Sequence, residues 1–232
     1  LKDITSSAII PKKLSIKADI SFKEKGVLCG IEIAERTFRL VDEDLRFLPV
    51  AKDGEVIEAG REVAYIEGSA LSILIAERTA LNFLSYLSGI STAAYAFVDK
   101  IKHTKAKIYD TRKTTPNLRL FEKYAVHTGG GMNHRFGLYD QVLIKDNHLR
   151  VLLKEPLLEI VEKARQAVTQ KTILGIEVKN LAELKEALKS SADYILLDNM
   201  PIEMVLQATA LRTKMNSQIP FEVSGGISLE NV

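Results

Sequence analysis

Hydrophobic spacing along this 232-residue chain changes character near residue 105. Residues 14–23, LSIKADISFK, alternate apolar and polar side chains, the period of a half-buried strand. Gly26, Gly30, Gly54 and Gly60 punctuate the stretch after it, so residues 10–66 read as β-rich. Ser69 then stands as a helix N-cap, its hydroxyl able to accept from a free first-turn N–H. The helix it opens carries Leu71, Leu74, Ile75, Leu81 and Leu84 at helical spacing. A second helix is expected over 92–103.

From residue 105 the pattern becomes strand then helix, repeated. Short Ile/Leu/Val-rich runs at 107–111, 141–144, 172–176, 193–197 and 220–223 read as strands, with helices over 157–168, 181–189 and 202–215. Alternation at this spacing predicts a parallel sheet, open or closed into a barrel. The expected fold class is therefore α/β. An α+β N-terminal domain of β-sandwich hairpins and helices spans 1–104, and an open α/β barrel spans 105–232. The hairpin-like run at 53–68, DGEVIEAGREVAYIEG, resembles biotinyl and lipoyl carrier domains. Its tight turns offer Asp53-Gly54 and Ala59-Gly60, not the Lys a carrier needs at its tip, so its role is read as structural.

The residues that end the strand runs carry the chemistry. They are Arg112-Lys113, Lys145, Glu177, Asp198 and Ser224-Gly225-Gly226, in strand order. Parallel α/β folds place catalytic groups at the carboxyl ends of their strands. One such charge is ordinarily a solvated loop residue; five in succession on one rim make an active site. Arg78 adds a sixth position. At 100° per residue it falls within the Leu71/Leu74/Ile75 stripe, where a guanidinium must meet an anion or a subunit interface.

Charge sharpens this picture. The chain is only +2 overall, yet the window 105–154 holds ten Lys/Arg against four Asp/Glu, leaving everything else at −4. Cations gathered around Gly129-Gly130-Gly131 suit a bound anion. A nearly balanced total and the lack of Trp argue against nucleic acid. No apolar run approaches the roughly 20 residues of a membrane span, since Glu77, Arg78 and Asn82 interrupt the longest. No signal peptide is visible, and the lone Cys29 fits a reducing, cytoplasmic setting as a packed small hydrophobe. The four His and one Cys lack zinc-ligand spacing.

Clustered arginines match carboxylates through paired N–H donors, so Arg78, Arg112 and Arg135, with Lys113 and the titratable His134, suit a di- or tricarboxylate. Lys145 suits a phosphate or pyrophosphate oxygen. Glu177 and Asp198 could hold Mg²⁺ directly or through water, or bind ribose hydroxyls. The backbone of Ser224-Gly225-Gly226 is a phosphate seat.

The block DTRKTTPNLRLFEKYAVHTGGGMNHRFGLYDQVLIKDNH at 110–148, with ERTALNFLSYLSGIST before it and IEV, LLDN and SGGI after, closely resembles quinolinate phosphoribosyltransferases. The resemblance runs from Asp3 to the last residue. It implies a type II phosphoribosyltransferase-like fold and a Mg²⁺-dependent reaction of NAD biosynthesis. Quinolinate and 5-phosphoribosyl 1-pyrophosphate would give nicotinate mononucleotide, CO₂ and pyrophosphate. Arg112, His134 and Arg135 would hold the carboxylates, with Lys113 and Lys145 between them and the phosphates. Glu177 and Asp198 would face ribose and metal, and Ser224, Gly225 and Gly226 a phosphate. Arg78 would reach a neighbouring subunit's site in a homodimer or larger assembly.

Three departures stand out. Asn117 occupies a position where the family often has Gly, and Lys179 one where a further acid is common. The final barrel strand and its phosphate turn are expected beyond Val232. The rivals are a nicotinate phosphoribosyltransferase, a molybdenum-transport-associated homologue whose motif diverges after DTRKT, and a catalytically silent scaffold or carrier.

Overall fold

Alternation builds the first sheet. In this computed structural model, which describes residues 3–152 and 155–232, β1 (Ser15–Ser21) pairs antiparallel with β5 (Glu62–Ser69), and β5 with β3 (Arg46–Pro49). The row Ala18/Ile66/Phe47 turns inward, while Tyr65 and Leu48 on the opposite face are exposed. A short ribbon, β2 (Gly26–Val27) with β4 (Val56–Ile57), completes the strands of the first unit, Leu1–His134. The hairpin-rich half thus holds a three-stranded sheet and a two-stranded ribbon, with helices, and Ile57 of the ribbon joins Phe47, Val63 and Ile66 of the sheet in one core.

Helix α1 (Ile4–Ile9) is capped by Asp3, whose carboxylate accepts from the Thr5 and Ser6 amides at 3.0 and 2.9 Å. Helix α2 (Ile31–Val41) lies inside the stretch expected to be β-rich. Ile31, Ala34 and Phe38 are buried at helical spacing, and Phe38 packs on Phe47 with ring centroids 5.7 Å apart. Its start signal is not local. Asp53, more than twenty residues on, accepts from the Gly30 and Ile31 amides at 2.7 and 3.0 Å.

The two helices expected after Ser69 are one, α3 (Ala70–Ile101), of 32 residues and about 48 Å. Ser69 caps it as anticipated, accepting from the Ser72 amide at 3.3 Å. Nothing breaks it at Gly89, because buried residues from Ala70 to Ser91 and again Ile101 hold it to the core throughout. Helix α4 (Arg119–Thr128) packs against it. The strand expected at 107–111 is only a single parallel bridge, Tyr109 to Met132. Lys107, Tyr109 and Thr111 are exposed and only Ile108 and Asp110 are half-buried, so no apolar face draws it into a sheet.

The second unit, Arg135–Val232, matches its pattern closely. Parallel strands β6 (Val142–Ile144), β7 (Leu174–Val178), β8 (Tyr194–Asp198) and β9 (Phe221–Ser224) run in that order. Helices α6 (Leu157–Gln166), α7 (Leu181–Ala187) and α8 (Ile202–Lys214) fall on their expected spans, and a short α5 (Asp146–Val151) follows β6. Registers Leu143↔Gly175, Glu177↔Leu196 and Asp198↔Ser224 decide which residues share a face. One face carries Ile144, Leu174, Ile176, Val178, Ile195 and Leu197, packed on Ile160, Val161, Leu184, Ala187 and Ala208 of the helices. The other carries Gly175, Glu177, Tyr194, Asp198, Glu222 and Ser224, with the buried Leu143 and Leu196 among them. This is the expected α/β organisation, with an apolar face under helices and a polar face left for chemistry.

Candidate active site

In the first unit, α4 organises the basic segment. At its N-terminus Arg119 donates from Nε to Thr114 Oγ1 at 3.1 Å and from Nη2 to the Arg112 carbonyl at 3.3 Å. Glu122 Oε1 accepts from the Thr115 amide at 3.0 Å and from the Tyr86 hydroxyl at 2.5 Å. Lys123, only 3% exposed, donates to Asp110 Oδ1 at 2.5 Å and to the His134 carbonyl at 2.8 Å. Tyr124 donates to Asp53 Oδ2 at 2.7 Å, and burial with that carboxylate pushes its phenol up to about 12. Three successive residues, about 100° apart around the helix, thereby tie down three different segments.

Held this way, the loop presents Arg112 half-buried, and its Nε is buried with no hydrogen-bond partner. Lys113 is exposed, its backbone amide donating to Thr111 Oγ1 at 2.9 Å. Asn117 takes φ 64°, the left-handed conformation that Asn tolerates, so the turn survives the loss of Gly. His134 is half-buried, edge-on to Tyr109, and its amide donates to Asp110 Oδ1 at 2.8 Å. Gly129-Gly130-Gly131 is required by packing. A Cβ on Gly129 would lie 2.3 Å from the Ser91 carbonyl of α3, and one on Gly131 2.7 Å from Val126. The glycines let α4 end directly against α3.

Arg78 departs from its expected setting. The buried stripe of α3 runs through Ile73, Ala76, Ala80, Leu84 and Leu87; Arg78 lies with exposed Leu74 and Ile75 on another face. It has no ion pair or hydrogen bond among the described residues. The leucine spacing alone had placed the core about one residue away from where the alanines put it. Cys29 is fully buried, and its thiol is pushed up to about 12 by burial, which leaves it a packing residue and not a nucleophile.

In the second unit, Glu177 and Asp198 lie within β7 and β8 and not beyond their ends, so both obey the alternation and share the polar face. Glu177, 5% exposed, is paired with Lys145 Nζ at 3.2 Å. Lys145 is half-exposed at the start of α5, where its amide donates to His148 Nδ1 at 2.8 Å. Asp198 Oδ1 accepts from the Ser224 hydroxyl at 3.2 Å. Gly225 and Gly226 follow the end of β9 at φ 87° and 68°, a left-handed backbone that favours glycine. Arg135, 8% exposed, donates to the Gln141 carbonyl at 3.3 Å, and Gln141 Nε2 donates to the Tyr194 hydroxyl at 2.7 Å. Burial, and then the charge of Glu222, raise the Tyr194 phenol far above its ordinary value. Lys179 is drawn to Asp146 at 2.6 Å, which holds that carboxyl below its usual range.

The oxygen donors on this face suit a hard cation. No cluster of three or more His, Cys, Asp or Glu stands ready for a metal among the described residues. A cation here would take at most Glu177 and Asp198 from the protein and complete its shell with water and substrate oxygens, the habit of Mg²⁺. Among the described residues no helix is long and apolar enough to cross a membrane.

Sequence reasoning gave Asp110, Gln141 and Tyr194 no role, and counted Arg119 and Lys123 only among the cations of the basic stretch, not as residues that hold it in place. Lys123 had a visible signal, a lone lysine beside Ala125 on the buried side of an amphipathic segment. The others had none, since each acts through partners distant in sequence.

Residues 3–88 match the family described as quinolinate phosphoribosyl transferase, N-terminal domain, and residues 90–232 its C-terminal domain. The chain is 40% identical over 230 residues to a probable nicotinate-nucleotide pyrophosphorylase (carboxylating) of Bacillus subtilis, covering 99% of this chain and 78% of that one. It is 37% identical over 234 residues to the corresponding Mycobacterium leprae protein, covering 99% and 80%. Among solved structures, NadC from Streptococcus pyogenes superposes with a TM-score of 0.90 at 40% identity, covering 98% of this chain and 79% of that one. Human nicotinic acid phosphoribosyltransferase, at 11% identity and a TM-score of 0.59 over 97% and 66% of the chains, shares the fold alone.

Proposed function

The chain belongs to the quinolinate phosphoribosyltransferase family, and on that premise we propose that it joins quinolinate to 5-phosphoribosyl 1-pyrophosphate, releasing pyrophosphate and CO₂. The product is nicotinate mononucleotide, a precursor of NAD. The observation that carries the reading is Arg112, whose buried Nε has no partner. A buried guanidinium donor left unpaired is costly, and a ligand carboxylate would satisfy it.

In this reading Arg112, His134 and Arg135 hold the two quinolinate carboxylates, and Lys113 and Lys145 lie toward the phosphates. Arg78 is supplied by a second copy of the chain in a dimer, which would cover the exposed Leu74 and Ile75 beside it. The Ser224-Gly225-Gly226 turn seats a phosphate through backbone N–H groups. Glu177 and Asp198 take the ribose hydroxyls and would hold Mg²⁺, which when bound supplies positive charge to the departing pyrophosphate.

The ring nitrogen forms a bond to ribose C1 as the C1–O bond to pyrophosphate breaks. Cations fixed beforehand absorb the charge of the leaving group, and holding nitrogen and C1 in line can be worth ~7–11 kcal/mol. The alkylated ring nitrogen is then positive. It stabilises the electron pair left on the adjacent carbon when its carboxylate departs as CO₂, and that carbon takes a proton. Lys113, exposed and without an ion pair among the described residues, is the candidate donor.

One assay tests the reading. Protein, 5-phosphoribosyl 1-pyrophosphate and Mg²⁺ are incubated with quinolinate or with nicotinate, and CO₂ and pyrophosphate are followed. Quinolinate should yield both; product from nicotinate alone would overturn the assignment.

A further inference from the structure

We infer that Lys123 and Asp110 are positioning residues for the dicarboxylate side of the site, an inference that rests on the quinolinate reading above. Asp110 lies two residues before Arg112, and its carboxylate is the shared acceptor of a closed network. Its Oδ1 takes Lys123 Nζ at 2.5 Å and the His134 amide at 2.8 Å. Its Oδ2 takes the Asn133 side-chain amide at 2.8 Å, and that amide also donates to the Lys123 carbonyl at 2.9 Å. Lys123 Nζ closes the ring on the His134 carbonyl at 2.8 Å. Backbone bonds from Asp110 N to Met132 O, 3.0 Å, and from Met132 N to Ile108 O, 2.7 Å, run alongside.

The Lys123 and Asp110 side chains are only 4% and 7% exposed, so neither is available to touch substrate. Together they fix the backbone on both sides of the basic segment, where it delivers Arg112 and where it delivers His134. A buried ion pair is weak evidence for stability, but it is well suited to specifying one arrangement of the chain. Here the arrangement specified is the spacing between two carboxylate-binding residues. The groups assigned to the phosphoribosyl donor, Glu177, Asp198 and Ser224, stand in the other unit with partners of their own. Loosening the Asp110 network should therefore be felt by one substrate and not by the other.

The test compares wild type with Lys123→Met, the paired Asp110→Asn/Lys123→Met variant and Asn133→Ala, each checked for folding by circular dichroism and thermal melting. Steady-state kinetics are run against each substrate. Calorimetry with phthalate, an aromatic vicinal dicarboxylate lacking the ring nitrogen, reports binding without turnover. Lys123→Met leaves a buried carboxylate uncompensated and can fail to fold. The paired variant removes both charges, and Asn133→Ala removes only the two amide hydrogen bonds of an exposed side chain, so at least one folded variant decides the matter. The expected result is a fall of about 100-fold in kcat/KM for quinolinate in the charge variants, the scale read when a positioning group shifts by about 1 Å. Asn133→Ala should show the same pattern more weakly, with phthalate affinity falling in parallel and KM for the donor unchanged. Folded variants with unaltered quinolinate KM and phthalate affinity would overturn the proposal, as would equal losses for both substrates. Wild-type protein that ignores quinolinate would instead overturn the reading on which the proposal rests.

Discussion

Replacing Gly225 by alanine should damage use of the phosphoribosyl donor far more than replacing its neighbour Gly226. Both glycines have positive φ, 87° and 68°, so either alanine brings a backbone strain of about 1–2 kcal/mol. What separates them is space. A Cβ on Gly225 would lie 2.0 Å from Asn199 Oδ1 and 3.1 Å from Asn199 Cα, whereas one on Gly226 meets nothing within 4 Å. The Asn199 side chain can turn aside, but its Cα cannot yield, because the residue is left-handed at φ 51° and its amide donates to the Ser224 carbonyl at 2.9 Å. The turn after β9 must therefore move, and its N–H groups move with it. A displacement of about 1 Å corresponds to a 10–100-fold rise in KM for the donor, or about 1.4–2.7 kcal/mol. Gly226→Ala should melt earlier by the strain alone and keep its KM within about threefold. The assay is initial rates against 5-phosphoribosyl 1-pyrophosphate at saturating quinolinate, with melting temperatures alongside. Adding Asn199→Gly to Gly225→Ala should recover part of the loss, as coupled neighbours do. Equal KM effects in the two single variants would refute the steric argument.

Other outcomes rest on single contacts. Asp53→Ala removes the acceptor for the Gly30 and Ile31 amides and for the Tyr124 hydroxyl, and should cost about 1–3 kcal/mol in urea unfolding. Lys145→Ala leaves the buried Glu177 carboxylate unpaired; because Lys145 is half-exposed, the loss should be only about 1–2 kcal/mol, with activity falling much further. The Cys29 thiol and Tyr124 phenol are both raised to about 12 in the fold, so the folded state holds those protons more tightly. Their stabilisation is complete below about pH 9 and is lost as pH rises toward 12; melts between these limits should decline, and Cys29→Ala should decline less. Chelation of Mg²⁺ should abolish turnover, and returning the ion should restore it, with product formation as the measure.

The second unit was legible because each signal in it was local. Leu181, Leu184 and Ala187, or Ile195 and Leu197, sit at the period their element requires, and helices α6 to α8 fall where that period predicts. The first unit was less so. Helix α2 takes its cap from Asp53 across an intervening strand, and α3 continues through Gly89 because its neighbours bury it on either side. Neither fact is written within the segment concerned. Arg78 shows the same limit, since leucines drew attention to one face while small alanines allowed the close packing that made another the core.

The order of residues alone determined the alternation of strand and helix, the concentration of cations between 105 and 154, and the motif that marks the family. Lys154, which closes that window, lies outside the described residues. Those features are properties of composition and spacing, and they survive without coordinates. Only the tertiary structure decided what the basic stretch is held by. Register placed Glu177, Asp198 and Ser224 on one face of a sheet, and a buried lysine joined Asp110 to His134 across more than twenty residues. Such pairings depend on chain closure and burial, which fix a partner only when the whole fold has formed.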